Sequence, residues 1–201
     1  MKTVAVVPVK SLHEAKSRLS GVLSGAQRSA LMVSLLRHVL DTLRLSGAVD
    51  EIAVISPTAE GLGLPPGVAF IRQDRVGLNN LLEQGREWAA SRGAGALMVI
   101  FADLPLVSPR EIVEIVALGQ VRGTAVLAPD RHGSGTNVLL ASPPALARFA
   151  FGTDSYRAHQ ALHREAGAHV ETYISTGTSL DLDTPDDLDY LECERYEAAN
   201  A

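Results

Sequence analysis

Lys2-Thr3-Val4-Ala5-Val6-Val7-Pro8-Val9-Lys10 decides the fold. Val4 to Val7 are apolar at every position rather than at alternate ones, so both faces of the segment need cover, as in a strand buried within a helix-wrapped sheet. The run is too short to span a membrane and lacks a signal-peptide cleavage pattern. Similar apolar runs follow at Ile52 to Ile55, Val68 to Ile71, Ala96 to Phe101 and Ala125 to Ala128. Between them lie helical patterns. From Ala26 to Arg44, Leu31, Leu35, Val39 and Leu43 repeat at a helical interval, and Leu36 and Leu40 widen the stripe. A second helix is predicted from Leu78 to Ser91. A third starts near Ser108-Pro109-Arg110-Glu111, which offers an N-cap, a first-turn proline and an acid at N3. Strands alternating with helices imply right-handed crossovers and an α/β, doubly wound, mainly parallel sheet. Ligands of such sheets bind beyond the carboxyl ends of the strands. The loops after Val7, Ile55, Ile71 and Phe101 are therefore the places to search. Further strands are predicted at Thr136 to Leu140 and Val170 to Ile174, around a helix from Asp154 to Ala166. A last helix runs from Thr184-Pro185-Asp186-Asp187 to about Tyr196. With no repeat, low-complexity tract or linker, residues 1–201 are read as one domain.

Composition removes several classes of function. Hydrophobic residues make up 46% and charged residues 20%, far from the signature of disorder. A formal net charge of -5 argues against broad nucleic-acid binding, which needs clustered lysine and arginine. The single cysteine, Cys193, has no partner for an intramolecular disulfide, and no Cys/His spacing suggests structural zinc. A reducing, cytoplasmic setting is expected, with neither nucleic acid nor membrane as partner.

Chemistry concentrates in a few loops. Pro8-Val9-Lys10-Ser11-Leu12-His13-Glu14-Ala15-Lys16-Ser17-Arg18-Leu19 sets Lys10, Lys16 and Arg18 behind the first strand, where cations can surround a polyphosphate. The plain alternative is a solvated basic loop. Neither the Gly-x-x-x-x-Gly-Lys-Ser/Thr string nor Gly-x-Gly-x-x-Gly is present, which weakens P-loop and dinucleotide readings. Val99-Ile100-Phe101-Ala102-Asp103-Leu104-Pro105 ends a strand in a carboxylate suited to a hard divalent cation such as magnesium, unless Asp103 merely opens a turn. Alternation in Leu180-Asp181-Leu182-Asp183 sends Asp181 and Asp183 to one face, although Asp183 or Thr184 would also serve as a helix cap. Pro129-Asp130-Arg131-His132-Gly133-Ser134-Gly135-Thr136-Asn137 is either an anion-binding glycine loop or a plain hairpin. Phe151-Gly152-Thr153-Asp154-Ser155 opens a helix whose free amides can take an anion, unless Thr153 or Ser155 caps it. His132, His159 and His163 lie near these loops. A phosphate nucleophile is already ionised, so no general base is required of them.

In their order and spacing, these strings together with Gly77-Leu78-Asn79 resemble the 2-phospho-L-lactate or phosphoenolpyruvate guanylyltransferase (CofC) family of coenzyme F420 biosynthesis, from Val6 to Leu191. The resemblance implies a Rossmann-like fold, doubly wound and mainly parallel, of the nucleotide-diphospho-sugar transferase type. It also implies a reaction of GTP with a small phosphorylated three-carbon acid, in the presence of Mg2+ or another divalent cation, with release of pyrophosphate. Carried over residue by residue, it makes Lys10, Lys16 and Arg18 the triphosphate grip. Pro8, Val9 and Asn79 become parts of the nucleotide pocket. Asp103 and Asp183 become metal ligands with Asp181 as the weaker candidate, and Thr136, Gly152 and Ser155 become the acceptor site. Catalysis falls to Lys10, Lys16, Arg18 and Asp103. Relatives of this fold that act on molybdenum cofactor or sugar phosphates carry a Leu-Ala-Gly-Gly type of first loop. Val7-Pro8-Val9-Lys10 departs from it, toward the phospho-acid family. Whether 2-phospholactate, phosphoenolpyruvate or 3-phosphoglycerate is the acceptor stays open, as does the choice of monomer or homodimer. A downstream transferase is the expected consumer of the product. Competing readings are another nucleotidyltransferase, a glycosyltransferase using Asp181 and Asp183 as an Asp-x-Asp clamp, and a nucleotide-binding protein without turnover.

Overall fold

A computed structural model describes residues 1–12 and 15–199, the side chains of 195–199 excepted, so His13 and Glu14 of the first loop lie outside the described residues. Seven strands form one sheet in the order β3-β2-β1-β4-β6-β5-β7. They are β1 (Thr3–Pro8), β2 (Glu51–Ser56), β3 (Val68–Arg72), β4 (Ala96–Ile100), β5 (Thr124–Pro129), β6 (Thr136–Ser142) and β7 (His169–Thr172). The pairs β1–β2, β1–β4, β2–β3 and β5–β7 are parallel. β6 runs antiparallel to both β4 and β5. Its reversal has a local cause: the loop between Pro129 and Thr136 is too short for a crossover and closes a hairpin. The plain reading of that glycine loop therefore holds for its geometry.

Helices α1 (Gly25–Leu45), α2 (Leu78–Ser91), α3 (Pro109–Leu118), α4 (Ser155–Glu165), the short α5 (Thr176–Ser179) and α6 (Pro185–Ala199) complete the molecule. The period of two in β1 explains its unbroken apolar run: Ala5 and Val7 pack with α1 and α3, while Val4 and Val6 pack with α2 on the opposite face. Ser108 and Glu111 form the capping box expected at the start of α3, and Ser24 with Gln27 forms another at α1 that the sequence reading did not single out. A third cluster matters most for function. Leu180, Leu182 and Leu191 pack against Leu19 and Leu35, pinning the segment before α6 beneath the first loop. With Leu180 and Leu182 turned into that cluster, the intervening Asp181 and the following Asp183 turn the other way. The backbone amide of Leu182 also donates to the carbonyl of Asp103 at 3.0 Å, joining the two acidic segments directly.

Candidate active site

The carboxyl ends of β1 to β4 surround a cleft of about 720 Å3, within the usual size for a small-molecule site. Its floor is an ion cluster. Lys16 Nζ donates to Asp103 Oδ2 at 2.7 Å and to Asp183 Oδ1 at 2.9 Å. The Lys16 side chain is only 3% exposed, against 23% for Asp103 and 41% for Asp183. Burial by itself would depress the Lys16 ammonium, but the charges of Asp103 and Asp183, with their hydrogen bonds, outweigh it and hold its pKa above the ordinary lysine value. Lys16 reaches this position from a left-handed backbone, φ 53° and ψ 40°, a conformation that costs a non-glycine residue on the order of 1 kcal/mol. Arg18 Nη1 stands 3.8 Å from Asp183 Oδ2 on a mostly exposed side chain, and Lys10 is exposed at the rim.

A third carboxylate lies beside the pair. Burial, then the charge of Asp103, pushes Asp181 up to about 6, against a hydrogen bond from Asn137 that lowers it. Among the described residues no three His, Cys, Asp or Glu side chains close into a metal cage. Magnesium does not require one, because it keeps several waters and takes one or two carboxylates plus substrate phosphates. Two observations fit such an ion: Asp103 and Asp183 already flank one cation, and Asp103 Oδ1 is buried without a hydrogen-bond partner among the described residues. The donors are all oxygens, which suits a hard divalent cation. Asp187, which the sequence reading left unassigned, holds Asp183 in place. Its Oδ2 accepts from the amides of Asp183 (2.9 Å) and Thr184 (2.6 Å) and from the Thr184 hydroxyl, and Oδ1 pairs with Arg131. Burial would raise its pKa, yet these donors outweigh burial and lower it.

Uncharged side chains also line the cleft, next to Asp130 of the hairpin. Thr136, Gly152 and Ser155 line it, with Thr136 and Ser155 nearly buried. Gly152 sits at φ 144°, where a side chain would strain the backbone. The capping expected of Thr153 or Ser155 is absent: the N-cap of α4 is Asp154, in a left-handed conformation and without a side-chain hydrogen bond. The adjoining hairpin loop is built on Asp130, whose carboxylate accepts from the amides of His132, Ser134 and Gly135 at 3.1, 2.9 and 2.8 Å. A Cβ at Gly135 would stand 2.6 Å from Asp130 Oδ2.

Of the residues singled out from sequence, Pro8, Val9, Lys10, Lys16, Arg18, Asp103, Thr136, Gly152, Ser155, Asp181 and Asp183 share this one cleft. Asn79 does not line it. Its carboxamide is taken by the backbone of Phe151, donating to the carbonyl at 3.1 Å and accepting from the amide at 2.8 Å. Asn79 thus braces the Phe151-Gly152 turn beside the cleft, with its carboxamide spent on that backbone. Lys16 differs from expectation too, since its ammonium is turned down between two carboxylates rather than displayed beside Lys10.

The sequence model of the family described as "Guanylyl transferase CofC like" matches residues 3–193. The chain belongs to the guanylyl transferase CofC-like family. It is 42% identical over 193 residues to a phosphoenolpyruvate guanylyltransferase of Sphaerobacter thermophilus, covering 95% of this chain and 93% of that one. A phosphoenolpyruvate guanylyltransferase of Rubrobacter xylanophilus is 40% identical over 194 residues, with 96% and 94% covered. Among solved structures, a nucleotidyl transferase from Methanothermobacter superposes with a TM-score of 0.68 at 18% identity, over 100% of this chain and 99% of that one. At that identity the likeness bears on the fold. As a CofC-like guanylyltransferase the chain is an enzyme of the nucleotidyltransferase class, on the fold of nucleotide-diphospho-sugar transferases. Among its described residues no helix is long and apolar enough to cross a membrane.

Proposed function

We propose that this guanylyltransferase transfers GMP from GTP to a small phosphorylated three-carbon acid of the phosphoenolpyruvate class, within coenzyme F420 biosynthesis. The observation that carries the reading is that Lys10, Arg18, Thr136, Gly152 and Ser155 line one cleft together with Asp103 and Asp183, whose carboxylates both accept from Lys16. Lys10 and Arg18 line the cleft with Pro8 and Val9, where they would balance the charge of a triphosphate. Thr136, Gly152 and Ser155 are read as the acceptor arm, whose neutral donors suit a compact anion. Asp103 and Asp183, with Asp181 in support, are the residues that would hold Mg2+, and when bound it would supply charge stabilisation for the triphosphate and the departing pyrophosphate. In the transfer, an acceptor phosphate oxygen forms a new bond to the α-phosphorus of GTP as the bond to the β-phosphate oxygen breaks. The nucleophile arrives ionised, so the residues contribute alignment and charge rather than proton abstraction. Lys16 is the cation nearest both carboxylates, and its transfer to phosphate oxygens would exchange one anionic partner for another within the same cleft. The two named relatives act, by their names, on phosphoenolpyruvate, which favours that acid over 2-phospholactate and 3-phosphoglycerate.

The test is incubation with GTP, Mg2+ and each of the three acids, followed by mass analysis and pyrophosphate assay. A guanylylated acid with stoichiometric pyrophosphate is expected. Turnover only with a sugar phosphate, or GTP binding without turnover, refutes the proposal.

A further inference from the structure

Behind Thr136 stands a side chain with both of its polar atoms committed. His159, on α4, is fully buried, with its ring edge-on to Phe151 at a centroid distance of 4.5 Å. Its Nε2 lies 3.0 Å from the backbone nitrogen of Ala150. A peptide N–H can only donate, so Nε2 carries a lone pair and no hydrogen. Nδ1 lies 2.9 Å from the Thr136 hydroxyl oxygen. Burial, then the neighbouring His163, holds the ring's pKa down to about 4, so at neutral pH it bears a single hydrogen. That hydrogen is on Nδ1 and is donated to Thr136 Oγ1. A hydroxyl that accepts at this point keeps its own hydrogen for another partner, and among the described residues no acceptor takes it. Thr136 is 3% exposed, and the cleft is the space it lines.

His163 repeats the pattern one turn on. Its Nε2 accepts from the amide of Arg148 at 3.3 Å, and its Nδ1 donates to the carbonyl of His159 at 2.8 Å. Two rings therefore hold the backbone of residues 148–150 from the α4 side, while Asn79 holds Phe151.

We infer that His159 is a positioning residue of the acceptor pocket: as the Nδ1–H tautomer it obliges Thr136 to aim its hydroxyl hydrogen into the cleft, and it fixes the turn that carries Gly152. The inference rests on the reading of Thr136, Gly152 and Ser155 as the acceptor arm. Its consequence is selectivity by polarity. The wall offers a hydrogen, so it favours an ionised carboxylate or phosphate oxygen, which can only accept.

Long-range proton–nitrogen correlation on 15N-labelled protein reads the tautomer directly. His159 should show a protonated Nδ1 and a bare Nε2, unchanged from about pH 8 to about pH 5. A protonated Nε2, or titration near an ordinary histidine value, overturns the inference without any mutation. Kinetics supply the second arm. Thr136→Val should raise the KM for the acceptor acid about 10- to 100-fold, the weight of one hydrogen bond to an ionised group, with the KM for GTP nearly unchanged. His159→Gln, which keeps an acceptor for Ala150 but loses the donor to Thr136, should do much the same. In the Thr136→Val background it should add less than about 3-fold, because the hydroxyl it controls is gone. Full multiplication of the two effects, or an equal rise in the KM for GTP, overturns the positioning role. Should Thr136→Val leave the acceptor KM untouched, the acceptor reading fails and the inference with it. A rise with Thr136→Val alongside the wrong tautomer defeats only the role of His159.

Discussion

Lys16→Met removes the one ammonium between Asp103 and Asp183 while nearly preserving the volume of a side chain that is 3% exposed. Two carboxylates are then left facing each other beside Asp181. Stripping the partner from a buried ion pair costs about 3–5 kcal/mol. Asp183 is 41% exposed, so solvent screening brings the expectation down to about 2–3 kcal/mol. For a chain of this size that corresponds to a fall in melting temperature of about 4–12 °C. The sign of the pH dependence follows from repulsion. Without the ammonium the carboxylates repel only while they are charged, so the deficit is present at neutral pH and disappears once acid has neutralised them. Mg2+ should restore what lysine supplied, with about 2.7 kcal/mol expected at a hundred times its dissociation constant. Wild type should gain less, because there the metal competes with Lys16. Thermal unfolding of both proteins at neutral and acid pH, with and without Mg2+, reads all three effects without measuring turnover. A deficit equal at both pH values and indifferent to Mg2+ would show that the ammonium is not the counter-ion of this cluster, and would remove the main support for the metal site.

Asp187→Ala strips the amides of Asp183 and Thr184 of their acceptor and leaves Arg131 unpaired. It should cost about 2–4 kcal/mol by chemical denaturation. Because the folded pKa of Asp187 is lowered, that difference is present above about 3.9 and fades as pH falls below it. Gly135→Ala forces a Cβ against Asp130 Oδ2, so a loss of about 1–3 kcal/mol is expected together with a higher acceptor KM; wild-type values for both would mean the hairpin loop does not shape the pocket. The folded pKa of His159 lies below its unfolded value, so its contribution is complete above about 6.5 and is lost as pH falls toward about 4. The gap in stability between wild type and His159→Asn should therefore narrow by about 3 kcal/mol over that interval in urea titrations, and a constant gap would contradict a buried neutral ring. Ser155→Ala should weaken use of the acceptor acid about 10-fold and spare the KM for GTP; an equal rise in both would move Ser155 out of the acceptor arm.

Strands were the most legible part of the chain because their runs are apolar at every position, and burial on both faces is what such runs require. The direction of β6 was not legible in the same way. An apolar run reads alike in either direction, and only the brevity of the loop from Asp130 to Gly135 argues for a hairpin. At the site, period-two alternation was enough to put Asp181 and Asp183 on one face, since Leu180 and Leu182 had to be buried. Convergence with Asp103 depends on a backbone bond between Leu182 and Asp103, which no local pattern encodes. The bond of Asn79 was not legible either: its neighbours Gly77 and Leu78 line the cleft, and one helical position further on the carboxamide meets the Phe151 backbone. His159 gave no signal of its own. Its role comes from contacts with Thr136 and Ala150, distant in sequence and next to each other only in the fold. Asp187 had one available signal, the Thr184-x-x-Asp187 spacing of a capping box, which the proline between them made easy to read as a helix start alone.

The order of causes in the acidic cluster bears on how the enzyme meets its substrates. Burial of Leu180 and Leu182, at about 1.5–3 kcal/mol for each side chain, and the amide bond to Asp103 position the two acidic segments before any ion is considered. Asp187 then fixes the backbone at Asp183. The ion pair with Lys16 thus forms on carboxylates that backbone contacts also hold, and on the proposed reading a cation arriving with a nucleotide would meet oxygens already in place. That preorganisation is what makes electrostatic catalysis effective, because the cost of gathering like charges is met by folding and not by the reaction. Around the proposed acceptor residues the same logic uses neutral groups. Ring nitrogens of His159 and His163 and the carboxamide of Asn79 absorb the amides of residues 148, 150 and 151, leaving Thr136 and Ser155 to face the cleft. The carboxylates proposed to hold a cation and the hydroxyls proposed to meet the acceptor are nevertheless linked, because Asn137, beside Thr136, donates to Asp181 and Arg131 of the hairpin pairs with Asp187, so a substitution at Ser155, outside both links, is the cleaner test of the acceptor side.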